Sequence, residues 1–113
     1  MKHFTINELC ATSHPIPNNP TQDIKHSLEE LVHNVLDPAR ETFGSPIRVN
    51  SGYRCDQLNK AVRGAASSQH LKGEAADLTT GSTDGNRRLF EIIKARGVFD
   101  QLIDEKNFSW VHV

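Results

Sequence analysis

His70, Asp77 and His112 are side chains of types that suit one another for metal chemistry. His70 and Asp77 sit seven residues apart around Gly73 in the stretch Ser67 to Leu78, and His112 lies far along the chain in Trp110-Val111-His112. Two imidazoles and a carboxylate form a borderline ligand set that favours zinc. Three protein ligands leave the fourth tetrahedral position open, as hydrolytic zinc sites require. The spacing therefore predicts a hydrolytic Zn2+ centre made of His70, Asp77 and His112. Ligation needs neutral imidazoles, so metal affinity is expected to fall below about pH 6.5. Taken singly, each residue has a plainer use, as a surface histidine or a backbone-satisfied aspartate. Their joint occurrence is what points to a metal.

The elements that must position these residues can be read in order. Thr5 can cap a short helix through Ile6 and Leu9, with Glu8 completing a capping box. Thr12 to Thr21, with Pro15, Pro17 and Pro20, reads as an extended surface loop. Ile24, Leu28, Leu31, Val32, Val35 and Leu36 recur at helical spacing and predict a long core-facing helix, kinked or interrupted by Pro38 and ended by Gly44. On its polar face His26 and His33 stand near Glu29 and Glu30, a cluster that reads as solvated surface before it reads as a second metal site. Ile47 to Ser51 alternates like a strand, with Gly52 breaking it and Arg54 at its C-terminal end. Cys55 or Asp56 begins a short helix closed by Gly64.

His70 is expected on a loop or turn, and Asp77 on a strand from Ala75 to Thr79, on the face opposite Ala76 and Leu78. Thr83 or Asp84 can cap a helix whose buried side is Leu89, Ile92 and Ile93, ending at Gly97. Phe99 to Glu105 and Trp110 to Val113 form an antiparallel hairpin across a four-residue loop. In that register Glu105 opposes Trp110 and Ile103 opposes His112, so Gln101, Ile103, Glu105, Trp110 and His112 share one face.

A chain of 113 residues, 36% hydrophobic and 24% charged, is expected to fold as a single domain with one modest core, and as a monomer. A formal charge of −1 provides no basic face for phosphates, so nucleic acid is not an expected partner. The first residues lack the apolar core of a signal peptide and no run approaches a membrane span, so a cytoplasmic origin and no membrane partner are expected. Cys10 and Cys55 read as buried or idle thiols and are not assigned to the metal.

Ser51-Gly52-Tyr53-Arg54, Ser68-Gln69-His70 with Gly73, Ala75 and Asp77, and the closing Trp110-Val111-His112 together resemble the M15 family of zinc peptidases, in particular its D-Ala-D-Ala carboxypeptidase-like subgroup A. Leu36-Asp37-Pro38 to Arg40 and Leu58-Asn59 extend the resemblance over nearly the whole chain. It implies an α+β fold shared with the hedgehog signalling domain, a small antiparallel sheet carrying the metal site with helices packed on it. It also implies that His70, Asp77 and His112 ligate Zn2+, that Arg54 lies near the substrate carbonyl and steadies the developing oxyanion, and that Ser68 supports the site or contacts substrate. Trp110 is a packing neighbour of the last ligand and a candidate substrate contact. The implied substrates are peptidoglycan stem peptides of the cell wall, trimmed of a terminal D-Ala or cut at an internal bond such as L-Ala-D-Glu. Such a protein would reach the wall by lysis, as an endolysin does, or by another export route.

Two departures from the family pattern stand out. Several relatives carry a carboxylate three residues before the last histidine as catalytic base, and here that position is Ser109, which cannot hold a proton as a carboxylate does. Glu105, from the hairpin register and from a similar glutamate before the last strand in this subgroup, is the candidate base; the alternative is a zinc-containing peptidoglycan-binding module with impaired catalysis. The chain also stops one residue past His112, where relatives usually continue, which would fit a C-terminal truncation.

Overall fold

Thr21 opens the main helical segment, its side chain accepting the Ile24 N–H, and α2 then runs over Gln22–Leu31. In the computed structural model, which describes residues 2–97 and 101–113, the helix does not break at Pro38. It widens one turn earlier into a π turn, Val32–Leu36, in which the Asp37 N–H reaches back to the Val32 carbonyl, and continues as α3 over Asp37–Phe43. Proline supplies no N–H and its ring crowds the carbonyl four residues back, and in this chain that carbonyl belongs to Asn34. Arg96 takes it up, its Nε donating to the Asn34 oxygen at 3.2 Å. Gly44 ends α3 with φ of 83°, as the sequence predicts. Before this segment, α1 spans Ile6–Cys10 with the expected capping box between Thr5 and Glu8.

Among the described residues the sheet has four antiparallel strands in the order β1-β2-β4-β3: β1 Arg48–Ser51, β2 Asp77–Thr79, β3 Ile103–Glu105 and β4 Trp110–His112. The two central strands carry Asp77 and His112, which are paired directly. Pairing continues past the strand ends, since Ala76 and Val113 exchange both backbone hydrogen bonds, at 2.9 and 3.0 Å. The hairpin register is the expected one, with Ile103 opposite His112 and Glu105 opposite Trp110. The strand expected from Phe99 begins at Ile103; residues 99 and 100 lie outside the described residues.

Helices α4, Asp56–Ala61, and α5, Thr83–Arg96, complete the α+β architecture. Leu28, Leu36 and Leu89 from the helices meet Leu78 and Val111 from the sheet in one core, all with essentially no exposure. Burying each such leucine contributes about 1.5–3 kcal/mol, so α5 is held to the face of the sheet opposite Asp77. No helix among the described residues is long and apolar enough to cross a membrane.

Two caps differ from expectation. Ser82, not Thr83 or Asp84, caps α5, because its backbone is extended and its hydroxyl accepts the Gly85 N–H at 3.0 Å. Helix α4 ends at Ala61, with the left-handed turn taken by Arg63 at φ 58° and not by Gly64. Gly64 serves another purpose: a Cβ there would collide with Asn59 Oδ1 and lie 2.6 Å from Arg54 Nη1.

Candidate metal centre

Ser68 caps a single 3-10 turn, Gln69–Lys72, by accepting the His70 N–H at 3.2 Å, and Gly73 closes the turn at φ 70°. The loop or turn expected to carry His70 is this capped turn, and Ser68 acts here as its support. The His70 ring is buried, and its Nδ1 lies 2.7 Å from the Gly52 carbonyl. A carbonyl can only accept, so Nδ1 carries the proton and Nε2 presents a lone pair. That Nε2 is the one buried side-chain nitrogen or oxygen among the described residues with no hydrogen-bond partner. Its nearest anion, Asp77 Oδ2 at 3.4 Å, is an electrostatic neighbour without hydrogen-bond alignment.

Asp77 projects from β2 and His112 from β4, and their direct pairing brings Asp77 Oδ1 to 2.9 Å from His112 Nδ1. The two imidazole rings meet edge to face, centroids 5.2 Å apart. One ligand atom from each of His70, Asp77 and His112 lies within 4.8 Å of the others, and these three form the one such metal-capable group among the described residues. Two ligand atoms held tetrahedrally at about 2.0–2.1 Å from zinc stand roughly 3.3 Å apart, so the widest pair would close by no more than about 1.5 Å to hold the ion. An orphaned buried nitrogen aimed at a carboxylate and a second imidazole fits zinc in both donor type and spacing. Burial alone would raise the Asp77 carboxyl. The His112 hydrogen bond and the adjacent His70 imidazole outweigh it and hold the group well below the usual carboxylate range.

Arg54 is placed by a different device. It lies three residues beyond β1, not at the strand's end, because Gly52 lets the chain turn hard against the Leu9 carbonyl, which accepts the Tyr53 N–H at 2.8 Å. The Arg54 N–H then donates to the His70 carbonyl at 3.0 Å. Its guanidinium donates to Ser51 Oγ at 3.2 Å and Asn59 Oδ1 at 3.0 Å, and stands 3.8 Å from Asp77 Oδ2. The Arg54 and Asp77 side chains are only 13% and 16% exposed, so this pair is far less screened than a surface salt bridge. Burial lowers the Arg54 pKa, Asp77 opposes it, and the guanidinium stays charged at neutral pH. Beside it lies a cleft of about 280 Å³ lined by Arg54 and Asp77 together with Thr12, His14, Asn50 and Val62.

The chain from residue 2 to residue 113 matches the peptidase M15 family. It belongs to that family. Over 48 residues it is 46% identical to the zinc D-Ala-D-Ala carboxypeptidase of Streptomyces albus G. That stretch is 42% of this chain and 19% of the relative, so the match spans about a fifth of the carboxypeptidase's length.

The M15 chain places its remaining predicted residues with mixed closeness. Glu105 and Trp110 oppose each other on β3 and β4, half-buried, on the face that carries His112. Glu105 is diagonal to His112, a relation that sets the two residues about 7–8 Å apart, and it is not among the three clustered ligand residues. Trp110 has the Lys106 ammonium 5.4 Å from its ring centroid. Ser109 turns away: its hydroxyl donates to the Lys106 carbonyl at 2.8 Å inside the hairpin turn. His26 and Glu30 form an exposed pair at 3.2 Å and gather no third ligand among the described residues.

Three buried asparagines were not singled out from the sequence as parts of the site. Asn18 donates to the Tyr53 carbonyl at 2.8 Å and accepts the Cys55 N–H at 2.8 Å, clamping the backbone on both sides of Arg54. Asn59 holds the Arg54 guanidinium and donates to the Ala65 carbonyl at 3.0 Å. Asn86 on α5 binds the Thr80 N–H and donates to the carbonyls of Phe108 and Ser109, tying the hairpin turn to the end of β2. Asparagine in loops and helix starts ordinarily reads as a turn or surface residue. The available signals were the placement of Asn59 five residues after Arg54 and its part in the family resemblance.

Proposed function

We propose that this M15 chain is a zinc metallopeptidase that hydrolyses peptidoglycan stem peptides, as a D-Ala-D-Ala carboxypeptidase or an L-Ala-D-Glu endopeptidase, with His70, Asp77 and His112 as its metal ligands. The observation that carries the reading is the orphaned His70 Nε2, buried and aimed at Asp77 and His112 beside a cleft that also contains Arg54. The scaffold is read as the α+β fold that the family shares with the hedgehog signalling domain. The activity of the Streptomyces albus G relative, a zinc D-Ala-D-Ala carboxypeptidase, supports both the metal and the substrate class.

Zinc, when bound, supplies Lewis acidity that makes water nucleophilic near neutral pH. Asp77 stays ionised throughout, since its carboxyl is held below the usual range, and so offers a permanent negative charge to the cation. Arg54, fixed by Ser51 and Asn59, directs a guanidinium toward the carbonyl oxygen on which charge develops. Glu105 takes a proton at its carboxylate and returns it to the leaving amine. Trp110 and Ser68 line the substrate side, Ser68 chiefly by holding the His70 turn.

The second reading, a zinc-containing binding module without turnover, is favoured by Ser109, whose hydroxyl is committed to the turn and leaves that position without a base. Incubation with purified muropeptides, with and without a chelator, separates the two by product masses. A chelator-sensitive cut identifies the peptidase and its bond; intact muropeptides with fully zinc-loaded protein identify the module. Glu105→Gln is expected to lower turnover by about 10²–10⁴-fold, and near-normal turnover by that variant ends its candidacy as base.

A further inference from the structure

His112 presents its two ring nitrogens to two acceptors. Nδ1 lies 2.9 Å from Asp77 Oδ1, and Nε2 lies 3.3 Å from Gln101 Oε1. A neutral imidazole has one proton for these two positions, so two tautomers compete. With the proton on Nδ1, His112 satisfies Asp77 and turns no lone pair toward the ligand group. With the proton on Nε2, the Nδ1 lone pair faces Asp77 and His70, which is the arrangement a metal needs. The carboxylate is the stronger acceptor, so the metal-competent tautomer needs support on the other side of the ring.

We propose that Gln101 is a positioning residue of the metal centre, accepting the Nε2 proton of His112 and so holding the tautomer whose Nδ1 lone pair faces the metal. The proposal rests on the reading that His70, Asp77 and His112 bind zinc. His70 shows the same logic in a form no substitution can remove, because its Nδ1 proton goes to the Gly52 backbone carbonyl. At His112 the equivalent acceptor is a side chain. Gln101 stands two residues before Ile103, the cross-strand partner of His112, and so enters β3 within reach of the His112 ring. Outer partners of this kind typically change metal affinity 10–100-fold. Gln101 is exposed, which weakens its bond through competition with water, so the lower end applies.

The test uses the wild-type protein, Gln101→Met, which keeps length without an acceptor, and Gln101→Glu, which keeps the acceptor. Zinc dissociation constants come from competition with a chromophoric chelator, and the His112 tautomer of the metal-free protein from ring 15N chemical shifts. Gln101→Met is expected to bind zinc about tenfold more weakly and to show His112 shifted toward the Nδ1-protonated form, while Gln101→Glu binds at least as tightly as wild type. Because Gln101 is exposed, neither variant disturbs the core. Equal zinc affinity and unchanged His112 shifts in Gln101→Met overturn the proposal while leaving the metal site standing. A wild-type protein that takes up no zinc, or a His112→Ala variant that binds it equally well, overturns the underlying site and the proposal with it.

Discussion

Gly64→Ala tests whether Arg54 is held in place by Asn59. The added methyl would collide with Asn59 Oδ1 and come within 2.6 Å of Arg54 Nη1, closer than any real Cβ contact. Asn59 is buried and anchored by two hydrogen bonds, so it must give up both to move. The bond to the charged guanidinium is worth about 1.5–3 kcal/mol and the neutral one about 0.5–1.5 kcal/mol, which sets a stability loss of roughly 2–4.5 kcal/mol. That is within the 5–15 kcal/mol typical of a folded domain. Arg54 keeps Ser51 and Asp77, so it is loosened and not lost. Removing an oxyanion donor outright costs about 10²–10³ in rate; a loosened one should cost about 10–100-fold in kcat/KM, or roughly 1.4–2.7 kcal/mol. Initial rates on a muropeptide, with zinc content and Tm measured in parallel, read the effect. The Asn59→Ala/Gly64→Ala double variant should lose little more than Asn59→Ala alone, because the Asn59 clash is gone and only Arg54 Nη1, the far end of a flexible side chain, must still give way. A folded, zinc-loaded Gly64→Ala protein with wild-type kcat/KM, or strictly additive losses in the double variant, would refute the reasoning.

Other perturbations reach different parts of the site. His70→Ala and His112→Ala should each take up no zinc at a free concentration that loads the wild type fully; at a hundred times Kd the wild type gains about 2.7 kcal/mol, or about 10–20 °C in Tm, and both variants lose that gain. Asp77 has a folded-state pKa below its unfolded value near 3.9. Its contribution to the metal-free protein is therefore full above about pH 4 and is lost as pH falls through the folded-state value; Asp77→Asn should flatten the acid limb of the stability curve, and parallel limbs would count against it. Asn86→Ala removes the tie between α5 and the hairpin turn and should cost about 1–3 kcal/mol in urea unfolding; an unchanged midpoint would show that the turn holds itself.

The parts of this protein that could be read from sequence are those fixed by short-range rules. Gly44 and Gly97 end their helices because both take the left-handed conformation that glycine tolerates. The hairpin register followed from a four-residue loop, and with it the shared face of Glu105, Trp110 and His112. The convergence of His70, Asp77 and His112 was legible because few other uses call for these residue types together. What could not be read depends on contacts between distant segments. The effect of Pro38 was displaced upstream into a π turn whose spare carbonyl is met by an arginine from α5. Ser82, Thr83 and Asp84 are equally fit to cap, and the conformation of the incoming chain chose among them. Gly64 looked like a helix stop until Asn59 and Arg54 were seen packed against it. Buried asparagines are invisible in composition, since their burial is decided by which carbonyls the finished fold leaves unmet.

The sheet order places the strands of Asp77 and His112 side by side at its centre, although the two residues are 35 positions apart in sequence. Neither strand can offer its side chain correctly until α5 has crossed between them and the hairpin has paired in register, because a slip of one residue would turn His112 to the opposite face. The cage proposed for the cation thus exists only where this long-range pairing has been made. On the proposed reading, a chain in which β2 and β4 have not paired would hold His70 and Asp77 without the third ligand, so metal uptake would report that the sheet is complete.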